Sequence, residues 1–123
     1  MELIATHIVM TNDIGVNGNL FGGRMMSWLD DASVGFATQV IRNPNVLTLK
    51  ISECVFHRPS KLKNLIKIYG EVKHIGRTSI TVGIEARRAD VVQGTEELVC
   101  STNIILVQVD AHGKPTEIKV DKG

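Results

Sequence analysis

The chain has 123 residues and a formal net charge of +1, the length of one domain with a modest core. That charge leaves no global field aimed at nucleic acid or an anionic membrane. Aromatic residues, at 4 %, are too few to interleave with basic stripes as base-stacking platforms.

Ile4 to Met10 is short, apolar and partly β-branched, which predicts a first strand. Thr11 to Gly22 follows as a loop, punctuated by Asn12-Asp13, Gly15 and Asn17-Gly18. From Gly23 to Arg42 the apolar residues Met26, Leu29, Phe36, Ala37, Val40 and Ile41 recur at helical spacing. Asn43-Pro44-Asn45 is expected to end that helix, because the residue before a proline is pushed out of the α region. Leu47, Leu49 and Ile51 then alternate with Thr48, Lys50 and Ser52, and the phase slips before Cys54 and Phe56, which predicts a bulge near Ser52-Glu53. A basic loop spans His57 to Asn64. Two alternating runs, Ile66 to Lys73 and Ser79 to Arg87, flank a turn at Gly76-Arg77. Asp90 to Glu97 reads as a polar hairpin loop, Leu98 to Val109 as a long last strand, and Asp110 to Pro115 as a turn. One long helix followed by antiparallel strands is covered only if the sheet curls around it, so the expected class is α+β with a central helix in a single domain over residues 1–123.

No stretch approaches the roughly 18 apolar residues of a membrane span. Glu2, and the lack of a basic start leading into an apolar core, argue against a signal peptide. Cys54 and Cys100 form no CxxC pair, and two buried or half-buried thiols in a reducing cytoplasm are expected. His7, His57, His74 and His112 show no metal-ligand spacing, so no metal is expected.

Asp30 and Asp31 are adjacent and cannot share an environment on a helix. At about 100° per residue, Ala37 and Ile41 lie about 20° from Asp30, and Met26 and Val34 about 40°. Asp31 falls about 100° the other way, among Arg24, Thr38 and Arg42. Asp31 is therefore expected in solvent, and Asp30 inside or at the edge of the apolar arc. A buried carboxylate needs a partner, and Ser27, Ser33, Thr48 or a backbone group would serve. The other reading is a general base or nucleophile at a pocket mouth. Gly22-Gly23 adds to this second reading, since amides at a helix start have no intrahelical partner and, with no side chains, admit a ligand oxygen closely. A tight entry turn is the plainer use of the same glycines.

Asn17-Gly18-Asn19-Leu20-Phe21-Gly22-Gly23, then Met26-Ser27 and Asp30, resembles the N-x-N-G-[DN]-[IL]-F-G-G segment and following helix of hotdog-fold acyl-CoA thioesterases. The subgroup is that of the short bacterial acyl-CoA hydrolases and the tandem-domain brain-type hydrolases. Phe56-His57-Arg58-Pro59, Gly76-Arg77-Thr78-Ser79 and Asp110-Ala111-His112-Gly113-Lys114-Pro115 resemble three further motifs of that family, in its order. The resemblance implies a long central helix wrapped by five to six antiparallel strands, and hydrolysis of fatty acyl-CoA to free acid and CoA. It implies a homodimer joined sheet to sheet, assembled further into a hexamer, with active sites at the dimer interface. Asp30 matches the family's catalytic aspartate. Gly23 matches the amide that polarises the thioester carbonyl across the interface, and Asn17 the second asparagine of its loop motif. The family's first asparagine, seven residues before the glycine pair, is Gly15 here. For CoA the resemblance points to Gly22, Arg58, Gly76, Arg77, Thr78 and Ser79; Lys61, Lys63, Arg87 and Arg88 are further cationic candidates for its phosphates. An acyl tunnel is expected beside Met25, Met26 and Phe36, with CoA as part of substrate and product and no separate cofactor. The alternative is a non-catalytic acyl-CoA or lipid-binding protein, for which Gly15 is the support. A dehydratase of the same fold would need a histidine with an acid, and no histidine is expected near the Gly22 to Asp30 segment.

Overall fold

The computed structural model describes residues 1–120. Seven elements follow one another: β1 (Glu2–Ile8), α1 (Gly22–Ile41), β2 (Val46–Ile51), β3 (Val55–Phe56), β4 (Leu65–Ile75), β5 (Ser79–Asp90) and β6 (Thr95–Gln108), with a 3-10 turn at Thr11–Asp13. The strands form one antiparallel sheet in the order β1-β4-β5-β6-β2, and β3 pairs with β6 beyond the end of β2. Helix α1 touches β1 at one edge of this sheet, β2 at the other, and β4, β5 and β6 between them. A flat sheet could not do this, so the sheet curves around the helix as the sequence predicts.

Alternation produces the core. Ile66 and Ile68 on β4, Ile80, Val82, Ile84 and Ala86 on β5, and Cys100, Ile104 and Leu106 on β6 are all buried on the helix side, against Met25, Trp28, Leu29, Ala37 and Ile41 of α1. Gly70 lies beneath the helix: a Cβ there would lie 3.0 Å from Ile4 Cδ1 of β1 and 3.6 Å, an ordinary contact, from the Phe36 ring. A side chain at this position would crowd Ile4.

Several boundaries differ from the sequence reading. β1 begins at Glu2 and ends at Ile8, because its register is set by β4, from Glu2 opposite Gly70 to Ile8 opposite Leu65. Met10 instead precedes the 3-10 turn, its N–H bonded to the Asp13 carboxylate at 2.8 Å. The helix stops one residue before the expected end. Arg42 is left-handed (φ 57°) and its N–H donates to the Thr38 carbonyl, so the stop is a left-handed cap rather than the effect of Pro44. The hairpin loop is only residues 91–94, because β5 and β6 pair out to Asp90 and Thr95. The predicted bulge is present. Ile51 faces Ile104 and Val55 faces Ser101, so four steps on β2–β3 match three on β6.

The face of β2 is the main surprise. Val46 is buried and Thr48 half-buried, whereas Leu47 and Leu49 are exposed. Val55 and Phe56 on β3 are exposed as well. Among the described residues no strand pairs with the outer edge of β2 and β3. An apolar, unprotected edge of this kind is a template for another strand.

Ile68→Ala at the centre of the sheet is expected to lower the unfolding free energy by about 2–5 kcal/mol, and Val92→Ala at the exposed hairpin tip by no more than about 0.5 kcal/mol. Urea denaturation of both variants and the wild type, at one protein concentration, measures the difference.

Candidate active site

The segment ahead of α1 is a closed loop. Ile14 bridges to Leu20, Gly15 N–H donates to Asn19 O (2.8 Å), and Phe21 N–H donates to Asp13 O (2.8 Å). Gly18 takes a positive φ of 81°, which the turn requires and a β-carbon would resist. Asn17 Oδ1 accepts the Asn19 N–H at 3.2 Å. Leu20 N–H reaches across to the Ser60 carbonyl (2.6 Å), which ties this loop to the one after β3.

Phe21 is the N-cap of α1. Its carbonyl accepts from Arg24 and Met25, and its side chain makes no capping bond. Among the described residues, the N–H groups of Gly22 and Gly23 have no acceptor, so two donors stand at the positive end of the helix. A Cβ on Gly23 would come within 2.8 Å of the Phe21 ring, so the bare backbone lets that ring lie against the first turn.

Asp30 is half-buried and Asp31 exposed, as the helical wheel predicts. Of the candidate partners, Thr48 is the one the fold selects: its Oγ1 donates to Asp30 Oδ1 at 2.6 Å. Ser33 donates to the Asp30 carbonyl instead (2.8 Å), and Ser27 is exposed. The bond to Thr48 joins the middle of α1 to the open edge strand. Arg24 is not beside Asp31 as expected. It pairs with Asp13 at 3.2 Å.

Gly23 and Asp30 are seven residues apart, on the same side of the helix but separated by about 10.5 Å of rise. A donor and a base serving one carbonyl must each lie about 3 Å from the reacting atoms. Within one chain these two groups cannot do so. The amides and the acid are therefore two separate candidate half-sites on one face of the helix, next to an open sheet edge.

A pocket of about 320 Å³ lies beside the helix start, bounded by Asn17, Leu20, Gly22, Met25, Phe56 and Arg58, with Ser60 and Val99 at its inner side. It brings Asn17, Gly22 and Arg58 together. It does not contain Asp30, nor Gly76, Arg77, Thr78 and Ser79. Those four form the tight β4–β5 turn, with Gly76 N–H bonded to Ser79 O (2.8 Å), and the Arg77 and Thr78 carbonyls accepting from Ile118 and Gln108. Arg77 is exposed and, among the described residues, makes no ion pair. Two other cationic candidates have structural uses. Arg87 lies between Glu85 (2.7 Å) and Glu96 (3.5 Å) over the Tyr69 ring, and Arg88 binds Glu97 and the Pro59 carbonyl. Of the expected tunnel residues, Met25 lines the pocket. Phe36 instead packs over Gly70, well along the helix.

Histidine proximity could not be judged from sequence distance. His7 on β1 stacks on Trp28 of α1, ring centroids 4.3 Å apart and nearly parallel. Trp28 points to the opposite side of the helix from Asp30, about 160° round, so His7 does not enter the half-sites. Cys54 is half-buried and Cys100 buried, both as free thiols. Burial pushes the Cys100 thiol up to about 12 and raises Cys54 as well, which leaves both poor nucleophiles. Among the described residues no group of three or more His, Cys, Asp and Glu is placed to hold a metal ion.

One long helix wrapped by a curved six-stranded antiparallel sheet is the hotdog fold. Residues 17–95 match the Thioesterase superfamily, and the chain belongs to that family. The acyl-CoA thioester hydrolase YciA of Salmonella typhimurium is 29 % identical, over 97 % of this chain and 91 % of its own. A hexameric hotdog fold thioesterase of Campylobacter jejuni superposes with a TM-score of 0.82 at 30 % identity, covering 97 % of this chain and 91 % of the other. A hexameric thioesterase from Yersinia pestis gives a TM-score of 0.90 at 27 % identity, covering 98 % and 97 %.

Burial lowers the His7 pKa below its ordinary 6.5, against the opposing pull of Asp13 and Asp31. The unfolded chain then takes up this proton at a higher pH than the folded one. The stability is therefore whole above pH 6.5 and falls as pH drops from there toward the folded value. His7→Phe, which keeps the stack on Trp28 without a titrating group, is expected to flatten that part of the stability–pH curve in denaturant titrations.

Proposed function

We propose that the chain is an acyl-CoA thioesterase that hydrolyses fatty acyl-CoA to free acid and CoA, acting as a single hotdog unit over its whole length. The observation that carries this reading is the pair of half-sites: glycine amides without acceptors at one end of α1, and a threonine-held carboxylate two turns along the same face. The similarity to YciA and to the hexameric thioesterases supports the same substrate class.

In this reading the open edges of β2 and β3 pair between two subunits, covering Leu47, Leu49, Val55 and Phe56, and the dimers assemble into a hexamer like those of the similar structures. Asp30 of one subunit then meets the Gly23 amide of the other across the interface. The thioester carbonyl oxygen accepts from Gly23 and Gly22. Water attacks the carbonyl carbon and Asp30 takes its proton, or Asp30 attacks directly and water resolves the resulting anhydride. Collapse of the tetrahedral intermediate expels the CoA sulfur, which leaves with a proton. Thr48 holds Asp30 in one rotamer. Asn17 orients the water or the carbonyl through its Nδ2, since its Oδ1 already accepts from Asn19. Arg58 at the pocket mouth meets the CoA phosphates, with the Gly76 to Ser79 turn and Arg77 as a second contact contributed from elsewhere in the assembly. The reaction uses no cofactor beyond the CoA of the substrate, and the proposed setting is the cytoplasm.

Thiol release from a panel of acyl-CoAs is the direct test. Asp30→Asn is expected to lower kcat by about 100-fold or more, and an unchanged rate would overturn the assignment of the base. Mixed dimers of Asp30→Asn with Gly23→Val, whose side chain closes the approach to its own amide, are expected to recover activity that neither parent dimer has. Tight CoA binding without turnover would favour the non-catalytic reading.

Gly15→Asn tests the departure in the loop. A Cβ at Gly15 would have no neighbour closer than 3.7 Å, so the backbone there accepts a β-carbon. Restoring the family's asparagine is expected to raise kcat by up to about ten-fold, the worth of one neutral hydrogen bond, with an unchanged melting temperature.

A further inference from the structure

The proposed chemistry leaves one buried group without a use. Ser60, on the loop after β3, is 3 % exposed, and its hydroxyl is the one buried side-chain polar atom with no hydrogen-bond partner among the described residues. Leaving such a group unsatisfied costs free energy, since the hydroxyl has lost water and gained nothing. An alanine would avoid that cost.

The position of Ser60 is firmly held. Its carbonyl accepts the Leu20 N–H at 2.6 Å, and the carbonyl of the preceding residue, Pro59, accepts from Arg88 Nη1 at 3.0 Å. Upstream on the same loop, His57 N–H is bonded to Val99 O at 2.7 Å. Ser60 borders the 320 Å³ pocket that also contains Gly22, whose lining combines the apolar Leu20, Met25, Phe56 and Val99 with the polar Asn17, Asn19, His57 and Arg58. Its bond to Leu20 places it beside the strand that enters the helix start two residues later. A chain whose carbonyl lies on the Gly22–Gly23 amides would begin in the pocket that Gly22 and Ser60 both border.

We propose that Ser60 is a specificity-determining residue that reads an oxygen substituent near the thioester end of the acyl group, so that the preferred substrates are short hydroxyacyl- or oxoacyl-CoAs rather than plain alkanoyl-CoAs. This rests on the acyl-CoA hydrolase reading above. A hydroxyl or keto oxygen gives Ser60 the partner it lacks in the protein, whereas an unsubstituted methylene leaves it unsatisfied. Discrimination arises from this difference in hydrogen bonding at a neutral hydroxyl.

The test compares the wild type and Ser60→Ala on butyryl-CoA and 3-hydroxybutyryl-CoA by thiol release, together with calorimetric binding of the matching non-hydrolysable thioethers, S-butyl-CoA and S-(3-hydroxybutyl)-CoA. The wild type is expected to favour the hydroxylated member by about three- to ten-fold, in kcat/KM and in Kd, the range of one neutral hydrogen bond. In Ser60→Ala the ratio is expected to fall to about one, with the melting temperature unchanged or raised. An identical ratio in both proteins overturns the proposal. So does an equal loss on both substrates, which would show that Ser60 serves the pantetheine amide common to every CoA ester. If neither ester is hydrolysed while the thioethers still show the Ser60-dependent ratio, the hydrolase reading fails and the role of Ser60 stands. If the thioethers show no ratio, the role of Ser60 fails whatever the turnover.

Discussion

A single helix of 20 residues has to be covered by a single sheet, and most of the architecture follows from that constraint. Burying Met25, Leu29, Ala37 and Ile41 demands contact from several directions, and the sheet supplies it by curving until both edge strands, β1 and β2, reach α1. The helix then becomes a rigid rod with its first turn at one end of the curved sheet. Its glycine amides, its half-buried acid and the pocket beside its start are all positioned by packing that has no direct part in the chemistry.

The same constraint explains the division of the site. The sheet meets the helix at two edges, and one of them, β2 with β3, is left open and apolar. Thr48 on that edge faces inward to Asp30, so the inner face of the edge strand holds a catalytic candidate while Leu47 and Leu49 are turned outward. The acid is thereby delivered to a surface that another strand would cover. Two turns of helix separate it from the amides, a distance no side-chain rotation closes. In the proposed reading a second chain covers that edge and brings its own helix start to each acid.

Much of this was legible in the residues. The helix, the alternation of the three long strands, the bulge after Ile51 and the separation of Asp30 from Asp31 all follow from periodicity, which records how a side chain meets a local surface. The misreadings have a common cause. The alternation of Leu47 and Leu49 with Thr48 and Lys50 left their side undecided, because alternation states that two faces differ and not which one is inside. His7 looked remote from the helix because sequence distance says nothing about stacking across a sheet edge. Arg24 was assigned to Asp31 by the helical wheel, but Asp13, folded back by the preceding loop, lies within reach of its guanidinium. The Gly76 to Ser79 turn carries a motif and yet lies outside the pocket that holds Asn17, Gly22 and Arg58.

By itself, then, the sequence determined the class of fold, the identity of the buried acid and the presence of donor amides at a helix start, because each depends on a spacing of residues along one element. Only the tertiary structure decided that Thr48 holds Asp30, that Arg87 and Arg88 are committed to carboxylates, and that Ser60 borders the pocket with an unanswered hydroxyl. These are pairings between elements distant in sequence, created when the sheet closes around the helix. No local pattern of side chains encodes which of several equivalent partners that closure brings within hydrogen-bonding distance.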